Sequence, residues 1–232
     1  MHNKRSGKRG SLALKLDINK AYDRVEWDFH KGIMLKLGLS DMWVDRVMSC
    51  VTSSSFSIRI NGKAYGNICP LRGLRQGDPL SPYLFLLCAK GFSSLLAKAQ
   101  EEGRLHGVSI CSRAPTISHL LFADDSLLFC RANQEEVQFV SEVLQTYANA
   151  SGQCINFEKS SVYFSSNITR EQRDNMKMVL GVREVDRFDT YLGLLLWLGD
   201  LSIKPFPCWR TEYGRRLRVG KDNFYLKRGR KF

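Results

Sequence analysis

The sequence has no apolar stretch long enough to cross a bilayer: the run Leu84 to Ala89 is six residues, against the ~18 that a span requires. The basic opening MHNKRSGKRG does not lead into the apolar core and small-residue cleavage site of a secretory signal. An intracellular chain with no membrane partner is therefore expected, with nucleus and cytoplasm both open. CxxC pairs are absent too. The seven cysteines, at positions 50, 69, 88, 111, 130, 154 and 208, stand singly, which argues against a disulfide framework or disulfide partner and against a zinc site. Reduced, mostly buried thiols are expected. Acidic residues are scarce where the charge is greatest. The first ten residues hold four basic and no acidic side chains, Lys204 to Phe232 holds ten and two, and these ends account for the whole net charge of +12. Basic ends suit nucleic-acid phosphates, and equally a solvated tail. With 44% hydrophobic and 25% charged residues over 232 positions, the remainder reads as one large globular domain, and wholesale disorder is excluded.

Ser11 to Leu16 alternates with Leu12, Leu14 and Leu16 on one face, so a half-buried strand is predicted that ends at Asp17. Amphipathic helices are predicted over Trp27–Leu37 and, after Ser40 as N-cap, over Asp41–Val51. Phe56, Ile58 and Ile60 run into Asn61-Gly62 and return through Ala64–Ile68, a hairpin signature. Ser81 as N-cap with Pro82 in the first turn opens a helix over Tyr83–Ala99. His119–Ala123 and Ser126–Phe129, separated only by Asp124 and Asp125, predict a tight hairpin with acids at its tip. Asn133 with Glu136 three residues on, an apolar stripe through Tyr147, and Gly152 predict a capped helix. Ile155–Phe164 reads as a strand, Arg170–Leu180 as a helix capped by Thr169, and Tyr191–Leu198 as an apolar strand.

The order is that of a split β-α-β-β-α-β unit, a ferredoxin-like α+β fold. There the strand bearing Asp17 and the hairpin bearing Asp124 and Asp125 can be central neighbours. Three carboxylates gathered at one sheet edge repel one another and are tolerated when cations neutralise them or protons are taken up. Hard carboxylate oxygens suit Mg2+ or Mn2+, and two such ions can serve phosphoryl transfer. An adjacent Asp pair at a hairpin tip also suits a plain polar turn.

Three strings decide between these readings. LKLDINKAYDRVEW (Leu14–Trp27), GLRQGDPLSPYLF (Gly73–Phe85) and HLLFADDSLLF (His119–Phe129) together resemble the reverse transcriptase domain of plant non-LTR retrotransposons. The likeness extends into SGQCINFEKSSVYFS (Ser151–Ser165) and YLGLLL (Tyr191–Leu196). It implies the palm of a right-hand polymerase over 11–198, a basic segment over 1–10, and a basic tail or degenerate thumb start over 199–232, with most of the fingers missing. It implies that Asp17, Asp124 and Asp125 hold two Mg2+ (or Mn2+) ions, and that Ile18 lends its backbone carbonyl to one. Tyr22 falls at the family's gate against a ribose 2′-hydroxyl, where a core tyrosine is the alternative. Gly73, Arg75, Gln76 and Gly77 match the loop along template base and incoming nucleotide, where glycines permit close backbone approach. Lys159 matches the lysine that protonates the leaving pyrophosphate, a solvated lysine being the alternative. Tyr191-Leu192-Gly193 matches the turn that grips the primer end, although Leu195 stands where the family usually has proline. Asp23 is explained by an ion pair with Lys20 or Arg24 and is not assigned to catalysis.

Viral RNA-dependent RNA polymerases typically place Gly before the paired acids, whereas Phe122-Ala123 precedes them here, which favours reverse transcription. The implied partners are an RNA template, a DNA primer and deoxynucleoside triphosphates. The other hypothesis is a non-catalytic retrotransposon remnant that binds nucleic acid through its basic ends.

Overall fold

The computed structural model describes residues 10–109, 114–186 and 188. Its centre is β1 (Ser11–Asn19), whose even positions Leu12, Leu14 and Leu16 are buried against helices. Two helices follow, α1 (Trp27–Lys36) and α2 (Asp41–Thr52), the second capped by Ser40, whose side chain accepts from the Trp43 N–H. The hairpin β2 (Phe56–Ile60) and β3 (Lys63–Ile68) forms a separate two-stranded sheet. Its turn residues Asn61 and Gly62 both have positive φ, 48° and 82°, the geometry that matches strand twist in a two-residue turn. After α3 (Ser81–Glu101) come β4 (His119–Phe122) and β5 (Asp125–Arg131), then α4 (Gln134–Ser151), β6 (Cys154–Ile155), β7 (Ser161–Phe164), α5 (Arg170–Leu180) and β8 (Arg183–Glu184).

The main sheet runs β4-β5-β1-β7-β8, with β6 paired to the far end of β1. All of these pairings are antiparallel except the parallel β7–β8 pair. Because side chains alternate across a strand, one sheet face carries Leu12, Leu14, Leu16, Leu128, Val162 and Phe164 against Phe92 and Leu96 of α3, Val137 and Val140 of α4, and Met176 of α5. Each such aliphatic side chain contributes roughly 1.5–3 kcal/mol on burial. The other face carries Ala13, Leu127 and Tyr163, met by Phe188. A second cluster, Ala21, Val25, Leu74, Leu84, Phe85 and Cys88, packs α3 beneath the turn that follows β1.

Several expectations are corrected. Ser81 is the first helical residue of α3 rather than its cap, because Leu80 takes the cap position and its N–H donates to Asp78 Oδ1 at 2.8 Å. The strand expected over Ile155–Phe164 is broken between β6 and β7. Asn156 turns the chain there, its side chain accepting from the Lys159 N–H and its carbonyl from the Ser160 N–H. Among the described residues the cysteines divide: Cys50, Cys69 and Cys154 are exposed, contrary to the expectation of burial, while Cys88 and Cys130 are buried. Tyr191–Leu198, the first nine residues and the basic tail lie outside the described residues. No helix among the described residues is long and apolar enough to cross a membrane.

His30 of α1 is fully buried with Nδ1 3.2 Å from Cys88 Sγ, and its Nε2 has no hydrogen-bond partner among the described residues. Burial lowers its pKa from 6.5 to about 4. The unfolded chain therefore takes up this proton below pH 6.5, the folded chain only near pH 4, and stability falls as pH drops through that window. The full difference corresponds to about 3 kcal/mol. Urea denaturation of wild type and His30→Leu between pH 4 and 7 is expected to show a shallower acid loss in the variant. Parallel slopes would remove His30 from the acid response.

Candidate active site

Asp17 lies inside β1, not at its end, and its register partner is Asp125, the first residue of β5. Cross-strand partners project from the same face, so the two carboxylates share the face opposite the helices. Asp124 occupies the exposed turn between Phe122 and Asp125. Ala123 before it has φ of 49°, a left-handed conformation that costs a non-glycine residue about 1–2 kcal/mol. None of the three carboxylates has a salt bridge or side-chain hydrogen bond among the described residues. Three hard oxygen donors without a counter-charge are a donor set that divalent cations fit. Among the described residues, however, no three His, Cys, Asp or Glu side chains are grouped closely enough to hold an ion. The backbone thus brings these acids to one sheet end without closing their side chains on a common point.

The peptide groups of Asp17 are fixed from one side. Its N–H donates to Ser160 Oγ at 3.1 Å, and its carbonyl accepts from the Asn156 N–H at 2.9 Å. Ser160 Oγ in turn donates to the Asn156 carbonyl at 2.7 Å. Lys159 sits in this same five-residue turn, exposed and without an ion pair among the described residues. Asn156 and Ser160 were not singled out as site residues from sequence. An Asn three residues before Lys is a signal for a side-chain-closed turn, and it was masked by the apolar residues around it. Ile18, the next residue of β1, pairs with Ile155 of β6.

Beyond β1 the chain turns at Lys20 and meets the loop before α3. Leu74 N–H donates to the Tyr22 carbonyl and Gly73 N–H to the Val25 carbonyl, both at 2.8 Å. Trp27 Nε1 donates to the Gly73 carbonyl at 2.8 Å. Gly73 is required here: its φ is 91°, and a Cβ would stand 2.7 Å from the Asp23 carbonyl oxygen. Gly77, by contrast, has open space where a Cβ would be, so close approach is not its reason. The Tyr22 ring is half-buried and stacked on Phe85, with centroids 4.7 Å apart at 15°. Asp23 makes no ion pair with Lys20 or Arg24; its Oδ1 accepts from Gln76 Nε2 at 3.3 Å. Arg75 is exposed and borders an open cleft of about 440 Å³ that Asp23, Arg72, Gln76 and Phe56 also line. The loop and the turn after β1 are thereby one hydrogen-bonded unit.

Comparison with known proteins gives this geometry a context. The family model for reverse transcriptase (RNA-dependent DNA polymerase) matches residues 1–194. An uncharacterized mitochondrial protein of Arabidopsis thaliana is 58% identical over 67 residues, 29% of this chain and 55% of that protein. A retrovirus-related Pol polyprotein from a type-1 retrotransposable element R2 of Popillia japonica is 29% identical over 158 residues, 67% of this chain and 25% of the polyprotein. The chain thus spans about half and about a quarter of the length of these curated relatives. The telomerase of Candida tropicalis, solved in complex with a TWJ fragment of telomeric RNA, superposes with a TM-score of 0.55 at 14% identity over 71% of this chain and 27% of that one. That likeness concerns the fold alone, a mixed α+β arrangement. Through the match over residues 1–194, the chain belongs to the reverse transcriptase (RNA-dependent DNA polymerase) family.

Proposed function

We propose that the chain is the palm of a non-LTR retrotransposon-type RNA-directed DNA polymerase, joining a primer 3′-hydroxyl to the α-phosphate of a deoxynucleoside triphosphate with release of pyrophosphate. The observation that carries this reading is the Asp17–Asp125 register pair, with Asp124 in the adjoining turn. In this reading Asp17, Asp124, Asp125 and the Ile18 carbonyl hold two Mg2+ or Mn2+ ions. Such ions, when bound, neutralise the carboxylates and stabilise charge on the attacking and leaving oxygens. Every other task falls to the chain itself. Lys159, in the Asn156–Ser160 turn that is hydrogen-bonded to the Asp17 peptide, donates its Nζ proton to the departing pyrophosphate. The Tyr22 ring, braced by Phe85, fills the space a ribose 2′-hydroxyl needs. Arg75 and Gln76 border the open cleft, a position suited to template and nucleotide.

The test is primer extension on an RNA template with magnesium, using the chain alone and the chain preceded by the corresponding N-terminal region of a full-length R2-type relative. Positioning of the reacting groups supplies ~7–11 kcal/mol of barrier reduction, so the extended form is expected to be the more active. Extension by neither form, with retained binding to primer–template, would leave the non-catalytic remnant as the correct reading.

A further inference from the structure

We propose that the groove between α1, α3 and α4 is a docking site for an acidic amphipathic helix of a partner protein. The groove has a volume of about 470 Å³ and is walled by Phe29 and Ile33 of α1, Leu95 of α3 and Tyr147 of α4. Gly91 lets α1 and α3 approach at its base: a Cβ there would lie 3.0 Å from Ile33 Cδ1 and 3.1 Å from Phe29 Cζ. Leu37 and Leu95 remain 47% and 37% exposed, which leaves apolar surface that water does not solvate well.

The rim carries charge of one sign. Lys36, Lys90 and Lys98 surround the groove, and no carboxylate lines it. Lys36 and Lys90 make no ion pair among the described residues, and Lys98 reaches only Glu102, at 3.8 Å. An apolar trough with a cationic rim matches a helix whose apolar residues recur at i, i+4 and i+7 with Asp or Glu beside them. Charge complementarity of this kind sets specificity and association rate. A nucleic-acid strand is less suited, because the surface between the lysines offers apolar atoms rather than partners for sugar and phosphate. A bilayer is less suited because the surface is concave. The chain's own ends, each with a large excess of Lys and Arg, would meet like charge. The groove lies in the helical layer, whereas Asp17 and Asp125 lie on the opposite sheet face, so an occupant leaves the carboxylates free.

The test is selection of a phage-displayed library of 16-residue helix-forming peptides on the full chain, followed by fluorescence anisotropy with the enriched peptides. Enriched sequences are expected to be acidic, with Leu, Ile or Phe at i and i+4. Their affinity is expected to fall at least tenfold for Lys36→Glu/Lys90→Glu and for Leu95→Asp. Circular dichroism melts verify folding, and the double lysine variant, altered only at exposed positions, keeps the test decisive if Leu95→Asp does not fold. Four outcomes overturn the proposal: no enrichment, enrichment of neutral or basic peptides, binding that survives in the lysine variant and so belongs to the basic ends, and dimerisation through the groove that excludes the peptides.

Discussion

Changing Asp125 to asparagine is expected to lower RNA-templated primer extension by about 10³-fold or more, on the scale of losing a charge-stabilising group in an active site. The folded chain should lose no stability. Asp125 faces Asp17 directly across the β1–β5 ladder, and neither carboxylate has a cationic partner among the described residues. Like charges opposite one another cost a few tenths to about 1 kcal/mol in a sheet. Asparagine keeps the shape and removes one charge, so the melting temperature should hold or rise while extension collapses. Asp17→Asn should behave alike, and the double variant should be no worse than either single one, because groups acting as a unit are strongly non-additive. Retained extension would refute the site. A fall in melting temperature would show that the carboxylates stabilise the fold and would turn the reading toward a structural hairpin tip.

The elements that were legible in the sequence are those whose signals are local. Thr169 and Gln172 close a reciprocal cap on α5, and Asn133 accepts from the Glu136 N–H at 2.7 Å to start α4. Neither needs a distant partner. The reciprocal half of the α4 cap is absent, however, because the Glu136 carboxylate is taken by the N–H groups of His106 and Arg131 and by the His106 ring. The break between β6 and β7 is local in origin, made by the Asn156 side chain and carbonyl accepting from the Lys159 and Ser160 N–H groups, but the apolar residues around it mask the turn. Its tie to the site is not local: Ser160 Oγ accepts from the Asp17 N–H across 143 residues, and no local pattern reports such a contact. Asp23 likewise looked matched to Lys20 and Arg24 by proximity in sequence, yet it found Gln76, 53 residues on, once the Gly73 loop folded over it. That the strand bearing Asp17 lies beside the hairpin bearing Asp124 and Asp125 was legible from the order of elements, whereas the register that sets Asp17 opposite Asp125 was not. The fit of side chains around those acids depends on rotamers that no sequence spacing specifies.

Gly152→Ala is expected to give a large loss of stability, about 2–4 kcal/mol, since it combines backbone strain with overlap against a backbone carbonyl held in place by neighbouring hydrogen bonds. Gly152 ends α4 with φ of 74°, which costs alanine roughly 1–2 kcal/mol by itself. A Cβ there would also overlap the Arg24 carbonyl oxygen and stand 2.7 Å from Glu26 Cγ. Retreat is blocked on both sides: Glu26 N–H donates to the Ser151 carbonyl at 2.9 Å, and Gln153 Nε2 donates to the Ala21 carbonyl at 2.9 Å. Gly181 is the matched control. It ends α5 with a similar φ of 66°, but its nearest neighbour would be Phe157 at 3.6 Å, so Gly181→Ala should cost only the conformational part. Urea denaturation with an unchanged slope measures both. Because the displaced turn continues directly from the strand that carries Asp17, Gly152→Ala should also weaken primer extension more than Gly181→Ala does. Equal losses for the two variants would show that the Arg24 turn yields, and that the contact between the end of α4 and the turn after β1 does not hold the carboxylates in register.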